Sequence, residues 1–462
     1  MEFDVKIDEF LKEIMERRDK RFSINSAQEL ERLEKEINEV TDKLAGVVLA
    51  KKIQESLDTL EFKKEITKLA KSFPKKLKNQ GKREVAIRPL RGEPFKLSTS
   101  YYSQKEKKGN KIKKKRAGFY PGLVLLGIYD HCTPTLASEV SLTVVSLSSL
   151  DEATRALGDR GIKLDIKTIR NIVLHYAERA KAAQRIQGYQ FGETLSGRRV
   201  VISTDGGRIR IRKNKRGPKT EKGRRRYSTK WREPKLLIIY VVNEEGKMER
   251  EIAPFIDGVM RGPDAIFRLV GYYLSGMDIK NADRILFIAD GAHWIWNRIP
   301  KLMIDLGLHS NQVFELIDFY HAVEHLGKVT ACQKSWKSSE RKRWLSKHIQ
   351  MLKDGKIYQV IEAIKGLCHG RSGKGFRREQ NYFEKNRHRM AYDLAANMKL
   401  PIGSGAIESA IRRVVNLRLK GAGIFWHVDN AEAMLLLRSY FKSGRWDMLK
   451  NLANSPSLPM AA

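Results

Sequence analysis

The 462 residues carry 89 Lys and Arg against 54 Asp and Glu, a formal charge of +35, with 41% apolar and 31% charged side chains. At roughly 100–200 residues per domain the length predicts about two to four domains, which excludes a single small binding module, and the apolar share excludes a wholly disordered chain. So large an excess of cations points to a polyanionic partner, nucleic acid ahead of a ribosome or an anionic membrane, because each neutralised phosphate releases counterions.

No apolar run approaches the roughly 20 residues that span a bilayer, and the start MEFDVKIDEF is unlike a secretory leader, so the expectation is an intracellular chain with no membrane partner. Cys132, Cys332 and Cys368 form no C-x-x-C pair, which predicts reduced thiols rather than a disulfide framework or a four-thiolate zinc site.

Residues 1–83 read as a helical N-terminal region. From Ser26 to about Ala70 the residues Leu30, Leu33, Ile37, Val40, Leu44 and Val47 alternate steps of three and four behind a Ser26-x-x-Glu29 capping box. This is either an amphipathic helix folded onto its own domain or a short a/d seam joining two protomers. Residues 84–137 are basic and strand-containing: REVAIRPLRGEPFKLSTSYYS reads as a strand pair, and Lys105–Arg116 is a cationic run beside Tyr101, Tyr102, Phe119 and Tyr120. Such runs are usually solvated, but aromatic faces next to the charge suit a nucleic-acid surface.

Residues 138–190 read as short helices. Ser149 caps one that ends near Leu157, Gly158 and Gly161 break it, and Asp165 caps a second whose first turn presents Lys167, Thr168 and Arg170. That is a helix-turn-helix layout with a turn longer than the usual three or so residues, so DNA reading through Lys167 and Arg170 and plain helical packing both stay open.

From 191 the pattern becomes α/β. Strands are expected at 198–205, 235–242, 250–256, 284–290 and 312–318, with helices around 263–275 and 294–307. Three strands, then helix, strand, helix, strand, is the order of a ribonuclease H-like domain. Residues 191–322 form its first part, a helical insertion follows at 323–399, a last part at 400–445 has a helix opened by Pro401, and the tail 446–462 has little to pack. The expected fold class is therefore multidomain α and α/β: a helical N-terminal and helix-turn-helix-like region, then a ribonuclease H-like catalytic domain with an all-α insertion.

Asp205 and Asp290 each end an apolar strand and precede a glycine, which puts a carboxylate at the carboxyl edge of a sheet, where open α/β proteins bind ligands. A turn acid is the alternative, since Asp-Gly suits turns. Glu408, in PIGSGAIESAIRRVVNLRL, lies one turn into a helix that Ser404 can cap, and Arg412, Arg413 and Arg418 follow it. A helix-dipole role competes with metal ligation there. Three such carboxylates can hold two Mg²⁺ ions, with Mn²⁺ able to substitute, for phosphodiester cleavage or strand transfer.

STDGG at Asp205, FIADGAHWIW at Asp290, IDFYHAVEHL, and PIGSGAIESAIRRVVNLRLKGAGIFW at Glu408 resemble insertion-sequence transposases with an Asp-Asp-Glu triad, of the ISKra and ISLre types and more distantly the Mutator-like and hAT transposases. The resemblance spans about 198–440, more weakly 84–183. It implies that Asp205, Asp290 and Glu408 are the metal-binding triad of a DNA transposase, and the 118 residues between Asp290 and Glu408 match members with a helical insertion. It implies double-stranded DNA, as element ends and as target, for a partner, a homodimer or higher oligomer, and a cytoplasmic, nucleoid-associated location. Where some relatives carry a cysteine zinc ribbon only Cys132 stands, so no zinc is expected.

Asp318 and His321 fit the Asp-x-x-His signature of several such families, as supports near the active edge or contacts to flanking DNA; N-capping is the alternative for Asp318. His325 reads as an ordinary helix-face residue. Trp294 is either core or a platform for an extruded base, as in related transposases. Residues 206–232 hold one acid, Glu221, amid dense Lys and Arg, and Arg208, Arg210, Arg212, Arg224, Arg225 and Arg226 make that hairpin the candidate for tracking phosphates. Arg412 and Arg413 are further DNA-contact candidates. A structure-specific nuclease on the same site, or a catalytically idle DNA-binding regulator, are the competing readings.

Overall fold

The computed structural model describes residues 2–19, 24–74, 76–104, 118–187, 192–221, 223–367 and 374–455. The cationic run 105–116 and Cys368 lie outside the described residues. The chain is mixed α/β and divides into two compact units, 1–186 with 447–462, and 187–446.

The first unit opens with α1 (Glu2–Asp19), α2 (Ala27–Asp58) and α3 (Leu60–Lys71). Ser26 starts α2 by accepting the Glu29 N–H, as expected, but the helix stops before Ala70. Thr59 turns extended and its hydroxyl accepts the Phe62 N–H, so a new cap divides one amphipathic stretch into two helices. Of the expected seam Val40 is buried, whereas Leu30 and Ile37 are 46% and 45% exposed. Three strands follow, β1 (Leu77–Ile87), β2 (Phe95–Gln104) and β3 (Gly118–Phe119), in an antiparallel sheet of that order. Ala50, Leu57 and Ile66 of the helices pack with Val85, Ile87, Phe95 and Leu97 of the strands into one core.

The short α4 (Pro121–Leu125) leads to α5 (Pro134–Ser146), α6 (Leu150–Asp159) and α7 (Ile166–Gln187). Ser149 and Asp165 cap α6 and α7, each accepting backbone N–H groups of the first turn. Cys132 is fully buried and its thiol is pushed up to about 11 by burial, which makes it an inert core thiol. The described part of the tail, 446–455, is packed. Helix Trp446–Asn454 buries Leu449 and Ala453, and Arg179 of α7 donates to the Ala453 carbonyl at 3.2 Å, a long-range contact with no local signal.

The second unit contains β4 (Arg199–Gly206), the hairpin β5 (Ile209–Asn214) and β6 (Tyr227–Arg232), then β7 (Lys235–Val242), β8 (Phe255–Val259), α8 (Pro263–Gly276), β9 (Arg284–Ala289), α9 (His293–Trp296), α10 (Ile299–Leu306) and β10 (Val313–Ile317). Two expectations shift here, both at prolines. The strand expected at 250–256 begins only at Phe255, because Pro254 has no N–H for a ladder. The helix expected at 294–307 is broken between α9 and α10, because Pro300 cannot donate back to Trp296.

The five-stranded sheet has the order β10-β9-β4-β7-β8, with β7 antiparallel to both of its neighbours, β4 and β8, and with β4, β9 and β10 parallel. β7 is buried along its whole length, so both faces of the sheet are covered. After β10 come α11 (Phe319–Cys332), α12 (Ser338–Lys353), α13 (Ile357–Leu367), α14 (Lys374–Asn386) and α15 (Tyr392–Asn397). The chain then returns to the sheet through α16 (Gly405–Ile411), which packs on β4 and β7, and α17 (Val428–Lys442), which packs on β8. Pro401 does not open α16. Residues 401–404 stay outside the helix, and the Phe319 N–H takes the Ile402 carbonyl at 2.9 Å. Among the described residues no helix is long and apolar enough to cross a membrane.

Candidate active site

From β4 the chain goes to β7 and β8 on one side and then to β9 and β10 on the other, so its progress across the sheet reverses between β4 and β9. Ligands of open α/β sheets bind at such a switch point, beyond the carboxyl ends of the strands. Asp205 and Asp290 stand there. Pairing of β4 with β9 runs from Arg199 opposite Arg284 to Ile202 opposite Phe287, and the same register continued puts Asp205 level with Asp290. The ladder ends at Ile202 and Phe287, short of the acids. β10 follows β9 in register, and the Asp318 N–H donates to the Ala289 carbonyl at 2.8 Å, which brings a third acid to the same level.

Burial pushes the Asp205 carboxyl up to about 6. The negative charges of Asp290 and Glu233 act in the same direction, while the Gly206 N–H and Lys235 oppose them. Asp290 is held by the Ala292 N–H on Oδ1 at 3.0 Å, and its carbonyl accepts the Trp296 indole N–H at 2.7 Å.

Two close neighbours of these acids had no signal in the sequence. Lys235, opposite Gly206 at the start of β7, is 4% exposed, pairs with Glu233 at 2.9 Å and places its ammonium 3.9 Å from the centroid of the Trp294 ring. Glu233 lies against Gly206 where a side chain would stand. Both flank an apolar run and read as ordinary boundary charges. The space beside these glycines is filled by the protein itself: a Cβ at Gly291 would meet Tyr382 of α14 at 2.5 Å. Tyr382 is half-buried, its buried hydroxyl has no partner among the described residues, and desolvation with the charges of Asp290 and Asp318 raises its pKa.

Asp318 is 2% exposed. It N-caps α11 by accepting the His321 N–H at 2.7 Å, and it also accepts the Ser404 N–H, which ties down the segment leading to Glu408. Ser404 starts α16 without a side-chain cap. His321 is partly buried, with its ring 5.0 Å from that of His325. His325 is not an ordinary surface residue: it stacks on Tyr382 at 3.6 Å and its Nδ1 meets the fully buried Glu379 at 2.5 Å.

Glu408 is exposed, while Ile407, Ala410 and Ile411 bury the other side of α16. Among the described residues no three acid, histidine or cysteine side chains stand close enough to share a metal ion, so the structure does not gather Asp205, Asp290 and Glu408 into one cluster. The hard carboxylate oxygens of Asp205 and Asp290 fit Mg²⁺ or Mn²⁺, with phosphate and water completing the shell. After α16 the backbone loosens to a π-helical stretch at Arg412–Asn416. Arg412 points to solvent, Arg413 donates to the Lys442 carbonyl at 3.4 Å, and Arg418 is 5% exposed against Trp426 at 5.3 Å. Arg418 is thus a core residue and not part of a phosphate-facing helix.

Lys167 and Arg170 are exposed on the first turn of α7, while Ile169 beneath them is buried. Arg224, Arg225 and Arg226 are exposed between β5 and β6. Trp296 is core, 3% exposed under the Arg389 guanidinium, and Trp294 is partly buried between Lys235 and the edge of Phe267. Comparison with family models, with curated proteins and with solved structures finds no match for the chain.

Proposed function

We propose that this chain is a DNA transposase acting through metal-dependent phosphodiester cleavage and strand transfer. The observation that carries the reading is the placement of Asp205 and Asp290 at the switch point, level on adjacent parallel strands, with the charge of Asp290 helping to raise Asp205. A carboxylate raised by burial and a neighbouring negative charge gains from a cation held beside it. The strand order β10-β9-β4-β7-β8 with its antiparallel and parallel halves supports a ribonuclease H-like domain, and α11–α15 then stand as the all-α insertion ahead of Glu408.

Asp205 and Asp290 would hold the divalent ion, and Glu408 would complete the set when α16 and bound DNA bring it in. Bound there, Mg²⁺ supplies a lowered water pKa and charge neutralisation at the phosphorus. In the first step a water oxygen attacks phosphorus, the bond to the 3′ oxygen breaks and a 3′ hydroxyl is released; in the second that hydroxyl attacks a target phosphate and displaces another 3′ oxygen. Lys235 is placed to balance the acids between steps. The partner is double-stranded DNA, consistent with the excess of cations.

Labelled element ends incubated with Mg²⁺ and the chain, or with Asp205→Asn, Asp290→Asn and Glu408→Gln, test the reading. Cleavage and joining by the parent and loss in each variant are expected. Cleavage without joining would identify a structure-specific nuclease. Binding with no cleavage by the parent would identify a DNA-binding regulator. Near-normal cleavage by Glu408→Gln would move the third ligand to another acid, with Asp318 and Glu233 next to test.

A further inference from the structure

We propose that the outer face of the β5–β6 hairpin binds unpaired nucleotides of a DNA strand, with bases stacked on Trp231 and Tyr227 and phosphates paired with arginines of the same face; this rests on the reading of the chain as a DNA-processing enzyme. In the antiparallel register Arg210 stands opposite Trp231, Arg212 opposite Thr229 and Asn214 opposite Tyr227, so these side chains share one face. Ile209 and Ile211 alternate to the other face and are 0% and 7% exposed. Burial of the isoleucines fixes which way the hairpin lies and turns the aromatic and cationic face outward.

On that face Trp231 is 54% and Tyr227 43% exposed. The Arg208 and Arg210 guanidinium carbons lie 5.4 and 5.8 Å from the centroid of the Trp231 ring, and Arg210 is 4.7 Å from that of Phe425, which in turn contacts Tyr227 at 5.8 Å. Rings and cations are therefore interleaved. The hairpin is pinned along β5: Arg212 donates to the Trp426 carbonyl at 2.9 Å, Trp426 to the Arg210 carbonyl at 3.0 Å, and the Arg210 side chain to the Gly421 carbonyl at 2.6 Å.

The interleaving selects the partner. A duplex presents phosphates outward with its bases already stacked on one another, so arginines alone would serve it, and exposed rings would find no base face. Bases freed from pairing have open faces and remain linked to phosphates, which matches rings set among arginines. Trp231 and Tyr227 are about 13 Å apart along the strand, so they take different bases. A protein partner would meet the same surface with cations between its apolar groups, and a single acid, Glu221, within 206–232.

The test is anisotropy titration of the full chain, in chelator and without divalent ions, against a labelled oligothymidine strand, its abasic sugar-phosphate counterpart and a duplex, over a range of salt. Trp231→Ala is expected to weaken oligothymidine binding about tenfold, to leave the abasic strand and the duplex nearly unchanged, and to keep the log–log salt slope, since no cation is lost. Trp231→Phe should keep most of the affinity, and Tyr227→Ala should repeat the selective loss independently. Equal losses on thymidine and abasic strands, or no loss in either alanine variant, would overturn the proposal. Because no cleavage is needed, a chain that never cuts DNA yet shows the Trp231-dependent preference would keep this inference while removing the transposase reading. A chain that cuts element ends without that preference would do the reverse.

Discussion

The buried carboxylate of Asp318 accepts the backbone N–H of Ser404, 86 residues further along the chain. Its other oxygen accepts the His321 N–H at 2.7 Å. One side chain thereby ends β10, starts α11 and fastens the segment that returns from the helical insertion, just ahead of Glu408. A carboxylate suits this place because it accepts in two directions and, when charged, makes stronger bonds than a neutral group.

Removing that carboxylate orphans two backbone donors in the interior. Asp318→Ala is expected to cost about 2–4 kcal/mol in urea unfolding, while Asp318→Asn, which keeps one acceptor oxygen, costs less. Equal stability of parent and Asp318→Ala would show that the anchor contributes nothing.

Asp205 makes stability depend on pH with a definite sign. Folded, its carboxyl titrates near 6 rather than 3.8, so between those values the folded chain holds more protons than the unfolded one. Stability from this group falls as pH rises through that window, by about 1–3 kcal/mol. Asp205→Asn should thus be more stable than the parent at pH 7.5 and no more stable at pH 3.5, read by urea unfolding at both. A gap that does not change with pH would contradict the burial of the carboxyl.

The neighbours of Asp205 should move that window in opposite directions. Asp290→Asn removes a repelling charge and lowers it, whereas Lys235→Met removes a favourable one and raises it. The pH dependence of unfolding in each variant gives the shift, and shifts of the same sign would break the assignment.

Trp294 holds the Lys235 ammonium over one ring face, so that face is not open to a base. Trp294→Ala is expected to impair cleavage equally on a duplex end and on an abasic end. Selective rescue by the abasic end would restore the base-extrusion role.

The exposed Arg224, Arg225 and Arg226 should contribute to affinity through counterion release. Replacing all three by Gln is expected to flatten the log–log salt slope of duplex binding by up to about 2.7. An unchanged slope would place this turn away from DNA.

Within each element the sequence was an adequate guide, because local burial leaves a local pattern. β4, β7, β9 and β10 are apolar runs bounded by charge or glycine, Ser26, Ser149 and Asp165 announce caps they make, and the Asp-Gly endings of β4 and β9 mark the carboxyl ends of two adjacent strands. Prolines corrected the reading at Phe255 and between α9 and α10 because a missing N–H outweighs hydrophobic pattern. What tertiary structure decided are the pairings across distance: Asp318 with Ser404, Tyr382 beside Gly291, Lys235 beneath Trp294, Arg418 drawn into the interior, and the last helix under Arg179. A side chain's type tells how it prefers to be solvated, but its partner depends on which segments the fold brings together, and residues tens of positions apart carry no shared period by which to find each other.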